Sequence, residues 1–203
     1  MQHRFALRYP LATASLLLGL AFTPLLSAAA TIELAGVQLQ ERQTVAGSPL
    51  VLNGAGVRYK AVFKVYTAGL YLTSKAETPE QALATPGPKR LAITMLRDID
   101  SAELGKLFSR GMEDNMDRTA FSKLIPGVLR MSQVFSDNKQ LKQGESLLID
   151  WVPGAGTVLT IKGKVESEPF KEPEFFNALM RIWLGKNPAD WHLKEALLGQ
   201  AKK

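Results

Sequence analysis

The longest β-like run in the chain, Asn53 to Leu72 (NGAGVRYKAVFKVYTAGLYL), constrains everything built around it. It opens on a glycine turn. From Val57 to Val65 the residues Val57, Tyr59, Ala61, Phe63 and Val65 occupy alternate positions, with Arg58, Lys60 and Lys64 between them. That period of two is the pattern of a half-buried strand. Beyond Val65 the alternation stops. Val65, Tyr66, Ala68, Leu70, Tyr71 and Leu72 load both parities with apolar or aromatic groups, so this half requires cover on both faces.

A chain of 203 residues, 46% of them hydrophobic, fills one core well and two poorly, so a single domain over residues 31–203 is expected. Residues 1–30 read as a signal peptide. Arg4 and Arg8 precede a Leu- and Ala-rich run, Leu11 to Leu26, and Ser27-Ala28-Ala29-Ala30 offers the small residues of a cleavage site. Thr13, Ser15, Thr23 and Pro24 interrupt the run, which argues against a permanent membrane span. A periplasmic or secreted location after cleavage near Ala30 follows as an expectation. Cleavage takes two of 25 basic residues and none of 19 acidic ones, leaving 23 against 19, a net charge of +4. The basic residues are scattered, which gives nucleic-acid binding no support. With no cysteine, disulfides, thiolate nucleophiles and thiolate metal sites are excluded. His192 has no partner histidine downstream of the leader, so neither a metal site nor a Ser-His dyad is expected, and no cofactor.

Short strands are expected at Thr31–Leu34, Val37–Leu39 and Leu50–Leu52, and a longer one from Lys89. Pro79 to Ala84 fits a turn or two of helix. The period then changes. Asp100 and Glu103 look like a capping box ahead of Leu104, Leu107, Phe108 and Met112. Phe121, Leu124, Ile125, Val128 and Leu129 form a second stripe that Pro126 is expected to break or kink, and Phe135 extends it. Ser146–Val152 and Thr157–Lys162 read as a hairpin with a turn longer than two residues. Two helices close the chain, one opening at Pro173 and stopping at Gly185, the other running from near Pro188 to before Gly199. Arg97 and Asp98 read as a charge pair at a strand end.

Three local motifs and the order of elements resemble the chalcone isomerase-like superfamily, in its bacterial exported branch. Asn53-Gly54-Ala55-Gly56-Val57-Arg58 is similar to the glycine-arginine motif of the plant isomerases, and Val65 to Leu72 to the strand after it. Gly144 to Lys164 resembles the family's paired strands. Phe175 to Leu198, with Arg181-Ile182-Trp183-Leu184-Gly185 and Pro188-Ala189-Asp190, resembles its closing helices. The resemblance implies an α+β fold, an open-faced β-sandwich of mainly antiparallel strands with a layer of helices, and a ligand cleft between the two.

The resemblance also bears on function. In the plant isomerases the cleft arginine stabilises negative charge on a substrate oxygen during ring closure, and Arg58 matches it. The polar set that orients the substrate has no counterpart here: an ungapped match puts Leu104 and Gly111 where the family's helix carries a tyrosine and an asparagine, and Ile182 where its last long helix carries a threonine. The strand threonine falls on or beside Tyr66. Non-catalytic members include fatty-acid-binding proteins that hold a carboxylate with an arginine and a tyrosine. Arg58 and Tyr66 suit that role, because a guanidinium in an apolar setting needs an anionic partner and a carboxylate is a bidentate one. An unbroken strand would part them by roughly 26 Å, eight residues at about 3.3 Å each, so a reversal is required, near Tyr59-Lys60.

The leading expectation is a binding protein for a fatty acid or similar small amphipathic carboxylate. Arg58 anchors the acid, Tyr66 hydrogen-bonds it, and Tyr71, Phe108, Met112 and Trp183 supply apolar wall. Each residue has a plainer reading: a solvated strand-edge arginine, or aromatics that fill the core. An isomerase, an intramolecular lyase relying on Arg58 alone, is the second alternative. A structural or partner-binding envelope protein with a filled cleft is the third.

Overall fold

The computed structural model describes residues 30–200. The expected leader falls on residues 1–30 and so lies, but for Ala30, outside the described residues.

Seven antiparallel strands make the main sheet, in the order β11 (Lys164–Val165), β10 (Gly156–Ile161), β9 (Ser146–Val152), β6 (Lys89–Met95), β5 (Phe63–Leu72), β4 (Ser48–Lys60) and β3 (Arg42–Val45). A separate hairpin, β1 (Thr31–Leu34) and β2 (Val37–Gln40), precedes it, and β7 (Ile99–Asp100) pairs with β8 (Gln140–Leu141) at the margin. The helices are α1 (Pro79–Ala84), α2 (Ser101–Glu113), α3 (Arg118–Asp137), α4 (Pro173–Leu184) and α5 (Trp191–Leu197). The fold is α+β, an open-faced antiparallel sheet with a helical layer, as the resemblance implied.

β5 is the axis of the sheet. Every residue from Tyr66 to Leu72 is buried. Tyr66, Ala68, Leu70 and Leu72 face the main core under the helices, while Tyr71 joins Val45, Leu50, Leu52 and Ala92 on the outer face. There the Tyr71 hydroxyl donates to the Gln40 carbonyl at 2.9 Å, fastening the β1–β2 hairpin against the sheet.

α4 is the middle of the sandwich. Phe175, Phe176, Leu179, Met180, Ile182 and Trp183 are all buried. On its sheet side Phe176 packs on Trp151, and on its helical side Trp183 meets Phe108 edge-on with centroids 5.2 Å apart. Its apolar surface is wide enough to meet both layers, and beyond Pro173 only the strip of Glu174, Asn177 and Arg181 is left less buried.

Three expectations need correcting. Val57 to Val65 is not one strand: the chain reverses at Ala61-Val62, leaving Phe63 exposed at the start of β5. Pro126 neither breaks nor ends its helix; α3 runs 20 residues through it. Pro126 and Ser122 are exposed, so the Ser122 carbonyl that loses its N–H partner is open to solvent. For the same reason Ile125 and Leu129 are exposed, and the buried stripe is Leu124, Val128, Met131, Val134 and Phe135. Arg97 and Asp98 are also not paired with each other. Asp98 accepts the Gln143 N–H, and the Arg97 guanidinium lies over the Phe63 ring.

The glycine motif turns out to be a seat for α5. A Cβ on Gly54 would lie 2.0 Å from the Ala196 carbonyl oxygen, and one on Gly56 would lie 2.7 Å from the Ala196 Cβ. Asn53 bulges out of the β4–β5 register beside them, and its amide donates to the Leu197 and Ala76 carbonyls at 2.7 and 2.9 Å. Gly54→Ala is therefore expected to destabilise the protein by about 3 kcal/mol or to lift α5 off the strand, because the obstructing atom is backbone and cannot rotate away. Urea denaturation of the two proteins measures the loss; an unchanged midpoint would contradict the seat.

Candidate functional site

The reversal at Ala61-Val62 sets Arg58 directly across from Tyr66 in the β4–β5 ladder. The reversal comes two residues later than expected, and the two residues become cross-strand neighbours. Between Arg58 and Tyr59 the register slips, leaving Val65 as the extra residue of β5. Bulges of this kind re-aim side chains.

Beside the pair lies a cavity of about 250 Å³, bounded by β4, β5, α2 and the α4–α5 connection. Leu104, Phe108 and Ile182 make its apolar interior, and Arg58, Lys60 and Arg110 bring positive charge to it against the single carboxylate of Asp114. The volume sits just below the lower end of what small-molecule sites occupy. A larger depression of about 570 Å³ lies near α1 and the start of α5, but its walls carry Glu80 and Asp117 as well as Arg181 and Lys186, so it favours neither sign of charge.

Tyr66 is buried, and its hydroxyl oxygen accepts the indole N–H of Trp183 at 2.9 Å. An indole nitrogen can only donate, so this bond uses an oxygen lone pair and leaves the phenolic proton free. Among the described residues no protein acceptor takes that proton. Burial pushes the hydroxyl up to about 12, with the Trp183 hydrogen bond and the Arg58 charge opposing. Tyr66 is thus a neutral O–H donor at any physiological pH.

Arg58 is not the lone guanidinium expected from the sequence. Its Nη1 stands 3.6 Å from Asp190 Oδ2, with the two side chains 22% and 10% exposed. At that distance the contact is ionic and not a hydrogen bond. Asp190 is otherwise occupied: it caps α5, Oδ1 accepting the His192 and Leu193 N–H groups and Oδ2 accepting the Tyr59 N–H at 3.0 Å. Its charge tempers that of Arg58, while among the described residues no carboxylate or carbonyl accepts a hydrogen bond from the guanidinium.

Of the six residues singled out, Arg58, Tyr66 and Phe108 line the cavity. Trp183 and Met112 stand behind its wall, fully buried, and Trp183 acts by holding the Tyr66 hydroxyl. Tyr71 is not part of it: strand alternation puts Tyr71 on the opposite face of the sheet from Tyr66. Sequence reasoning missed Asp190, Lys60 and Arg110. An aspartate directly before a helix was the available sign for Asp190, but that identifies a cap and not its contact with a strand 131 residues away. Leu104, Gly111 and Ile182, the positions matched to the family's polar set, all line the cavity. They make it apolar where that chemistry needs hydroxyl and amide groups. Asn115, one turn beyond Gly111, is tied to the Gly111 and Asn187 carbonyls.

Among the described residues no cluster of His, Asp or Glu could hold a metal ion, and no helix is long and apolar enough to cross a membrane. A model of the chalcone isomerase-like family matches residues 30–199. Among solved structures, a fatty-acid binding protein of Arabidopsis thaliana superposes with a TM-score of 0.66, covering 85% of this chain and 97% of its own, at 13% sequence identity. That likeness is one of fold. No curated protein matches in sequence.

Burial of the Tyr66 hydroxyl gives stability a pH signature. The folded-state value lies above the usual 10.0, so the stability Tyr66 contributes is complete below pH 10 and is lost as pH rises toward about 12. Tyr66→Phe, which strands a buried indole N–H, is expected to cost about 2 kcal/mol at neutral pH. The gap to wild type should close across that alkaline range. Denaturation of both proteins against pH, with the phenolate absorbance followed in parallel, checks the size and the sign.

Proposed function

Because the chain belongs to the chalcone isomerase-like family, we propose that it is a non-catalytic binding protein that holds a small apolar carboxylate, a fatty acid of short or medium chain, in the cavity beside Arg58. The observation that supports this reading is that Arg58 and Tyr66, cross-strand neighbours, both line one largely apolar hollow, with the Tyr66 oxygen already accepting from Trp183 and so leaving its proton to donate. A carboxylate has acceptors for both, and hydrogen bonds to a charged group are worth about 1.5–3 kcal/mol each where a neutral pair gives about 1. The acyl chain then lies along Leu104, Phe108 and Ile182. The small volume selects against long chains. The name of the Arabidopsis structure agrees with such a ligand class. Export is part of the proposal and rests on the composition of residues 1–30; the mass of the mature chain, beginning near Thr31, tests it.

The ion pair to Asp190 favours a second reading, in which Arg58 serves only to hold α5 on the strand and the cavity is incidental. The isomerase reading is weaker, since the apolar Leu104, Gly111 and Ile182 orient nothing.

Calorimetric titration with a ten-carbon fatty acid separates these. Arg58→Ala should lower affinity by about tenfold to a hundredfold. Asp190→Asn keeps the helix cap while removing the competing charge, and should raise affinity several-fold. An affinity indifferent to both changes would leave Arg58 a structural residue. Conversion of a hydroxychalcone above the spontaneous rate, lost in Arg58→Ala, would favour the isomerase instead.

A further inference from the structure

We infer that the tip of the β4–β5 hairpin docks on an anionic lipid surface, with Val62 and Phe63 entering the apolar layer and Lys60, Lys64 and Arg97 meeting the head groups.

The chain's other two-residue hairpin turns show what the tip would look like if only folding mattered. β1–β2 turns on Ala35-Gly36, β3–β4 on Ala46-Gly47 and β10–β11 on Lys162-Gly163, each with glycine at positive φ in second place. The β4–β5 turn is Ala61-Val62. Ala61 takes φ 53°, as Ala35, Ala46 and Lys162 take similar values in first place of the other turns, so what sets this tip apart is the second place, where a β-branched apolar residue stands in place of glycine. Val62 is 82% exposed and Phe63 60%, the former the most exposed large apolar side chain among the described residues. Neither improves the turn and neither is buried by the fold.

The charges around the tip point to the occupant. Lys60, Lys64 and Arg97 are exposed and, among the described residues, pair with no acid. The Arg97 guanidinium lies 5.6 Å from the centre of the Phe63 ring, so cation and apolar group point to one surface. Apolar side chains on a projecting loop, ringed by basic ones, match a negatively charged interface in both layers. A folded partner fits less well, because a two-residue projection falls far short of the roughly 800 Å² per side that a stable protein interface buries. Lys60 belongs to the cavity wall as well as to the hairpin, which puts the cavity at the docking surface.

Sedimentation of the mature chain with vesicles tests this. Binding is expected to vesicles of mixed phosphatidylglycerol and phosphatidylcholine, not to phosphatidylcholine alone, and to fall as salt is raised. Val62→Asp/Phe63→Asp should cut the bound fraction roughly tenfold, and Lys64→Glu/Arg97→Glu should do likewise. Val62→Asp alone, at an open position, serves if the double variant unfolds. Equal binding to both vesicle types, no binding, or binding indifferent to these substitutions overturns the inference, as does a dimer that disperses in Val62→Asp and shows the tip to be a contact between copies. Arg58→Ala should leave vesicle binding intact, so loss of the carboxylate reading and loss of the docking surface are told apart.

Discussion

The close approach of α5 to the bare backbone of β4 is the constraint on which the site depends. Gly54 and Gly56 remove the two Cβ atoms that would hold the helix away, and Asn53 ties down the carbonyl of its last residue, Leu197. At the other end the helix begins at Asp190, whose carboxylate therefore arrives beside Arg58 and the Tyr59 N–H. The motif that resembles a ligand-binding signature in the sequence thus acts first as a packing surface. Its effect on chemistry is indirect: it decides which acid faces the arginine.

That acid does not close the site. At 3.6 Å the ion pair lacks a hydrogen bond and leaves the guanidinium donors unspent on that carboxylate. A bidentate carboxylate on the same guanidinium, with a second bond from Tyr66, gains more than displacing the pair costs. Asp190 would not be stranded by the exchange, because three backbone N–H groups continue to hold it. Tyr66 is the more rigid half of the pair. Trp183 fixes its oxygen, Phe108 packs edge-on against Trp183, and both aromatics belong to the central core, so the Tyr66 ring has little freedom left to lose.

Much of this was legible in the sequence, for physical reasons that differ from part to part. The run from Tyr66 to Leu72, apolar on both parities, called for cover on both faces and is a central strand, and the wide apolar surface of Phe175 to Trp183 called for a well-covered helix. Local periodicity cannot see a reversal whose turn is written in Ala and Val, so Val57 to Val65 looked like one strand. Nor does parity say which face of a fully buried strand looks toward the helices; Tyr71 and Tyr66 differ in parity and lie on opposite sides. Pro126 signals a break only if its neighbours need the lost hydrogen bond, and on an exposed helical face they do not. The contact of Asp190 with Arg58 joins elements far apart in the chain and had no local sign at all.

The most direct measurement is a crystal structure of the protein soaked or grown with a medium-chain fatty acid. The carboxylate should lie within hydrogen-bonding distance of both the Arg58 guanidinium and the Tyr66 hydroxyl, with Asp190 still capping α5 and the tail against Leu104 and Ile182. An acid bound elsewhere while the Arg58–Asp190 pair stands undisturbed over a vacant hollow would contradict it.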